Sequence, residues 1–263
     1  SVREEEWVSS VIRQLRWFRS RRCKSRSFRL GDHSPLDFLG ALLDRLGRHN
    51  IRGLTFLLDA RVDRLISRRI QWSALSAQAR RAGVRLEFLC GGFENFSQPE
   101  LDRLNKGTSV AQNIEAIQLL RRLTTDAPDV FSHDHSAAGF ITFTPWTTPD
   151  DLLANLRVFR ALDFSRFRSD LTCARLRLYP EMPLYHAAAR DGLLLERMPA
   201  GWIETAGYAA DHPWRFRSQE TAAIHLVTRR LLREGPAHGD EIEVLARAID
   251  QIALISPTPC RAR

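Results

Sequence analysis

The sequence predicts an α/β fold: an open, all-parallel partial (β/α) barrel of five strands with helices outside, followed by a C-terminal helical cap. Three observations predict it. Short apolar runs alternate with helix-period segments from the first residues to about residue 190, and strict alternation of strands and helices means a parallel sheet. Helix-opening signatures recur a few residues past the strand ends, so short strand-to-helix loops line one rim, the rim where such folds hold ligands. The length of 263 residues suits one substantial core, since about 250 residues is typical of a single α/β barrel.

Each element has a local reason. Val8, Val11, Ile12, Leu15 and Phe18 line one face of a first helix, which starts at residue 3, opens with glutamates and closes with arginines, complementing its dipole. A short strand at 27–30 ends at Gly31-Asp32. Leu36, Leu39, Leu42, Leu43 and Leu46 mark a second helix, and 54–58 reads as a fully buried strand. A helix at 72–82, a strand at 84–89, helices on either side of Lys106 and a strand at 139–144 follow. Next come a helix at 149–162, a strand at 172–178 and a helix at 183–190 closed by Gly192. Three N-terminal signatures, Ser34-Pro35-x-Asp37, Ser97-x-x-Glu100 and Thr148-Pro149-Asp150-Asp151, put a hydroxyl at the cap and an acid at the third helical position. Residues 199–216, rich in Trp, Gly and Pro, read as an extended segment. Helices at 219–233 and 240–255 come after it, the second opened by an Asp240-x-x-Glu243 box, with a frayed end at 257–263. The expected organisation is a barrel core over 1–195 and an extended segment with C-terminal helices over 196–263.

Composition narrows the function classes. Hydrophobic residues make up 44% and charged residues 27%, ordinary for a globular protein and not for a disordered one. The longest uncharged run, 136–149, is too short and too rich in Pro and Thr to cross a bilayer, so no membrane partner is expected. The first residues lack an initiator Met and a signal-peptide core, which suggests a processed chain or a fragment. Net charge is +8, and all but two of the 39 basic residues, Lys24 and Lys106, are arginine. The run Arg13, Arg16, Arg19, Arg21, Arg22, Lys24, Arg26, Arg29 could track phosphates. Its first three members also fall on the polar side of a helix near its C-terminal end, and no aromatic or glycine motif for nucleic acid accompanies them, so the solvated-face reading is preferred. Cys23, Cys90, Cys173 and Cys260 match no zinc, disulfide or haem spacing and suit a reducing, cytoplasmic location.

The segment Cys90-Gly-Gly-Phe-Glu94-Asn-Phe-Ser97-Gln-Pro-Glu100-Leu-Asp-Arg-Leu-Asn105-Lys106-Gly107, continuing into Asn113 and Arg121, carries the most information. It resembles the fourth-strand segment of radical S-adenosylmethionine enzymes, in which a buried strand ends in Gly-x-Glu ahead of a Leu-x-x-x-Asn-Lys-Gly loop and an amphipathic helix. Thr144-Pro-Trp-Thr-Thr148 resembles that family's fifth-strand motif and Tyr179-Pro-Glu-Met-Pro-Leu-Tyr185 its sixth, with Glu181-Met182 where Gly-Thr is usual. The resemblance runs from Arg3 to about Phe216 and is most like the cobalamin-associated and oxidative-cyclase type. It implies a six-stranded partial barrel of which this chain lacks the first strand and the Cys-x-x-x-Cys-x-x-Cys cluster loop.

The same resemblance implies S-adenosylmethionine as cofactor, a 4Fe-4S cluster whose ligands are not in this chain, and cobalamin through an upstream domain. Asp32 would accept from the cofactor ammonium, or is a turn residue. Arg61, in an Arg-x-Asp with Asp63, offers a fork for a carboxylate, while Asp63 also reads as a helix N-terminal acid. Gly92, with Gly91, draws its value from position alone. Glu94, just past an apolar strand, would accept two ribose hydroxyls, a solvated loop acid being the alternative. Thr144 and Tyr179 complete the set, Tyr179 and Pro180 through backbone and stacking contacts to adenine. All are expected around one cleft at the strands' carboxyl ends. His133-Asp134-His135 could place two imidazoles on one strand face, but no third ligand is near and a surface loop is the preferred reading. No metal ligand is assigned. Three functions stay open: a radical enzyme fragment, a degenerate cluster-free barrel binding a ligand or protein, and a basic RNA-binding protein.

Overall fold

The computed structural model describes residues 2–31, 35–90, 92–133, 139–163, 174–196, 212–234 and 241–255. By contact these divide into two compact units, one comprising Ser1–Phe93 and Ala111–Gly139, the other Glu94–Val110 and Phe140–Arg263.

The first unit is a four-stranded sheet flanked by helices. Its strands are β1 (Ser27–Leu30), β2 (Leu54–Asp59), β3 (Val84–Cys90) and β4 (Phe131–His133), in spatial order β1-β2-β3-β4 and parallel at every pairing. The all-parallel sheet expected from strand–helix alternation is therefore present. Helices α1 (Val2–Ser20), α2 (Leu39–Arg48), α3 (Val62–Ser67), α4 (Trp72–Ala82) and most of α6 (Val110–Asp126) belong with it. In α2 the leucines at 39, 42, 43 and 46 are at most 1% exposed, as their i, i+3, i+4, i+7 spacing requires. On the sheet they join Phe56, Leu58, Leu86 and Phe88, all buried. Trp72 turns its edge to Phe88 and Phe131 and satisfies its indole N–H on the Leu65 carbonyl at 3.2 Å. Gly83 ends α4 in the left-handed region, φ 64°, and a Cβ there would stand 3.3 Å from the Arg52 side chain.

Three expectations need correction. β2 is not buried on both faces: Leu54, Phe56 and Leu58 are buried, whereas Thr55, Leu57 and Asp59 alternate with them half-exposed, the period of a strand with one packed face. β4 was not expected, because three residues are too few to show a period. Among the described residues, 139–144 and 174–178 form only single parallel bridges, Glu94 with Phe140 and Phe143 with Arg175, where full strands were expected.

The second unit holds α5 (Gln98–Arg103), α7 (Pro149–Ala161), α8 (Pro183–Arg190), α9 (Gln219–Glu234) and α10 (Glu241–Ile255). α10 packs on α9 and α7. Trp214, fully buried, bonds the Leu176 carbonyl at 2.9 Å and anchors the extended stretch that precedes α9. Phe96, Phe140 and Phe159 form a second aromatic cluster. The Thr148 capping box is complete, with hydroxyl and Asp151 carboxylate bonding reciprocally across the first turn of α7. The Ser97 signature forms no cap: α5 has no side-chain cap bond, and the Ser97 hydroxyl donates to Asp151, 54 residues away. Ser34 and Asp240 lie outside the described residues, and α2 opens at Phe38 without a side-chain cap. No described helix is long and apolar enough to cross a membrane.

Candidate functional site

β3 ends at Cys90, and the chain then takes two left-handed residues, Gly92 at φ 57° and Glu94 at φ 59°. For glycine this conformation is free, but for glutamate it costs on the order of 1–2 kcal/mol, so surrounding contacts must impose it. The contacts are present. The Glu94 carbonyl accepts from the Ile141 N–H at 2.6 Å, and the buried Asn95 amide donates to the Ile141 carbonyl at 2.7 Å while its oxygen accepts from the Ser97 N–H at 2.8 Å. Residues 94–97 are thus clamped to the 140–141 segment. Within the first unit, the Asn113 amide holds the Phe93 carbonyl at 2.8 Å from α6.

The Glu94 side chain, 16% exposed, meets Lys106 at 2.5 Å through Oε1. The loop after α5 explains how the lysine arrives there. Asn105 and Gly107 both adopt left-handed φ, 51° and 65°, the region that Asn and Gly tolerate best. The Lys106 N–H returns to the Leu101 carbonyl at 3.3 Å. Asn-Lys-Gly is therefore a helix-terminating turn that carries a lysine to the strand-end acid. Lys106 had no role in the expected site. A signal existed: it is one of two lysines in a chain that otherwise uses arginine for every basic side chain.

The remaining expected residues differ in how they are committed. Thr144 is fully buried, and its hydroxyl accepts from the Trp146 N–H at 3.2 Å and meets the Thr147 hydroxyl at 3.2 Å, while its own N–H donates to Thr147 Oγ1 at 2.8 Å. Its side chain builds the turn into α7. Beside it lies Glu100, also fully buried and paired with Arg103. Burial pushes the Glu100 carboxyl above its ordinary range, against the Arg103 charge and the Thr144 hydrogen bond. Tyr179 is half-buried, its carbonyl accepting from Met182 N–H at 2.9 Å in the turn that leads to Pro183 and α8. Glu94, Thr144 and Tyr179 all belong to the second unit.

Gly92 and Arg61 belong to the first. Arg61 is the N-cap residue of α3 and its fork is engaged by Asp63, with Nε to Oδ1 at 3.0 Å. Burial would raise the Asp63 carboxyl, but the Arg61 hydrogen bond and charge outweigh it, and the group sits below its usual range. Asp32 lies outside the described residues, as do Asp134 and His135. The His133 Nδ1 is 3.0 Å from the Phe88 carbonyl, a structural bond between β4 and β3.

A four-iron cluster needs three thiolates converging on one point. Cys23 is exposed, Cys90 ends β3, and Cys173 and Cys260 lie outside the described residues. Among the described residues no three His, Cys, Asp or Glu side chains gather as metal ligands, so these residues do not fit the cluster.

The parallel sheet with its flanking helices is an α/β fold similar to that of solved cobalamin-dependent radical S-adenosylmethionine enzymes. The particular likeness is to OxsB. With aqua-cobalamin bound, that enzyme's structure matches 96% of this chain at a TM-score of 0.56 and 14% identity. The form with aqua-cobalamin and S-adenosylmethionine matches 94% at 0.53 and 13%, and the apo form 94% at 0.54 and 14%. This chain spans 41–42% of the length of those structures. No protein-family model and no curated protein matches it.

Proposed function

We propose that this chain is the S-adenosylmethionine-binding part of a radical enzyme of the cobalamin-dependent type, with residues 1–195 as core and 196–263 as a C-terminal addition. Its own task is to hold the nucleoside of the cofactor. The observation that carries the reading is Glu94, strained into a left-handed conformation after β3 and clamped to 140–141, within a fold like that of OxsB. Its carboxylate would accept hydrogen bonds from the ribose hydroxyls, and Lys106 orients it. In the proposed whole protein a four-iron cluster would supply the electron for reductive cleavage of S-adenosylmethionine. No residue of this chain is assigned to that cluster, and cobalamin is a cofactor of the proposed whole protein.

Isothermal calorimetry of the 263-residue chain with S-adenosylhomocysteine and 5′-deoxyadenosine tests the nucleoside site. Glu94→Ala should weaken both about tenfold or more, the loss of a charged hydrogen bond worth about 1.5–3 kcal/mol. Unchanged binding in the variant, or none by the parent chain, would sink the assignment. Radical chemistry is tested separately, on the natural full-length protein prepared anaerobically, by dithionite-dependent release of 5′-deoxyadenosine. A second reading, a cluster-free nucleoside-binding barrel, draws on the absence of a three-ligand group among the described residues. Nucleoside binding without iron or cleavage in the full-length protein selects it.

A further inference from the structure

We propose that Arg103, Arg190 and Arg217 form a binding site for a tetrahedral oxyanion, a phosphate ester or free phosphate, around a cavity of about 220 Å³ walled by Trp146 and Ala187. The site lies wholly within the second unit and is separate from Glu94 in its chemistry.

Three guanidinium groups reach this cavity from three elements. Arg103 ends α5, Arg190 ends α8, and Arg217 lies on the extended stretch after Trp214, its N–H fixed to the Pro145 carbonyl at 2.8 Å. The first two also suit helix C-termini, where a cation meets the negative dipole end. Arg217 has no such reason to be there. The carboxylate at the centre is Asp191, 18% exposed. Its Oδ2 accepts from the Trp146 indole at 2.8 Å and from Arg217 at 2.5 Å, and its Oδ1 lies 3.4 Å from Arg190 Nε. Arg103 stacks over the Trp146 ring at 5.4 Å and pairs with Glu100.

Two carboxylates thus stand against three cations. An arginine has five N–H donors in a rigid fork, and each of these three spends only some of them on Asp191 or Glu100. A bound anion would form bonds to the donors that remain. Geometry separates the anion classes. A tetrahedral oxyanion offers acceptor oxygens in more directions than a planar carboxylate and so can engage more of the three forks at once. The cavity exceeds the space of a single ordered water, which leaves room for part of an ester as well.

The 263-residue chain would be titrated at low salt with inorganic phosphate, glycerol 3-phosphate and acetate, read by calorimetry. Saturable phosphate or ester binding is expected, with acetate about tenfold weaker or worse. Tighter binding of the ester than of phosphate identifies an ester as the source, and equal binding identifies free phosphate. Arg190→Gln with Arg217→Gln should weaken binding about tenfold, and Arg190→Gln alone, at a side chain 78% exposed, about threefold. The single variant keeps the test valid if the double variant does not fold. Glu94→Ala should leave phosphate binding unchanged, so failure here and failure of the nucleoside reading are distinguishable. No saturable binding in the millimolar range, equal binding of acetate, or unchanged affinity in Arg190→Gln would overturn the proposal.

Discussion

Acid should destabilise this protein through His225 on α9. Its side chain is 3% exposed, and its ring lies 4.9 Å from Phe143 and 5.3 Å from Phe216. Among the described residues its Nε2 has no hydrogen-bond partner. Burial, reinforced by the charges of Arg175 and Arg229, lowers its pKa from 6.5 to about 3. The native state therefore keeps the imidazole neutral down to about pH 3, while the unfolded chain takes up a proton below about pH 6.5. The His225 contribution then falls as pH drops from 6.5 toward 3 and is constant above that window. At 1.36 kcal/mol per unit, the loss is about 2 kcal/mol at pH 5 and about 5 kcal/mol at pH 3 as an upper bound. Replacing His225 by Leu keeps an apolar group of similar size between the two phenylalanines and removes the titration. Urea unfolding of both proteins at pH 7.5, 6 and 5 measures the effect. The stability of the parent chain relative to His225→Leu should decline by about 2 kcal/mol between the first and last of these. Parallel pH profiles would show that the buried imidazole is not the group responsible.

Two further outcomes follow from the same unit. Thr148→Ala removes the hydroxyl that accepts from the Asp151 N–H in the capping box and should cost about 1 kcal/mol in urea unfolding; no loss would mean that Pro149 and the acids alone start α7. Glu100 has the opposite pH behaviour to His225. Because its folded pKa is raised above 4.5, its favourable contribution is complete below that value and is lost as pH rises through the folded pKa. Glu100→Gln removes the ionisation, so the variant should gain stability relative to the parent chain as pH rises above 4.5, and identical slopes would refute the raised pKa.

Most of the first unit was legible because its signals are local. The leucines of α2 state their own face through spacing, and β1, β2 and β3 appear as apolar runs within a residue of their observed ends. The Thr148 box is equally local, since its partners lie three residues apart. Glu94 was singled out as an acid just past an apolar strand, in a segment chosen also for its family resemblance. What tertiary structure decided lies beyond that range. Ser97 and Thr148 carry the same kind of signature, yet only Thr148 accepts from its helix turn, while the Ser97 hydroxyl donates to Asp151, a neighbour brought in by packing. β4 exists only because β3 supplies a parallel edge for three residues, and the left-handed Glu94 exists only because Ile141 and Asn95 clamp it. The Glu94–Lys106 pair needed two left-handed turn residues in series, a geometry in which Asn and Gly are permitted but not compelled. Periodicity and capping depend on neighbours within about one helical turn and so belong to the sequence; pairing across distant segments depends on which groups are left without water when the core closes, and only the folded chain determines that.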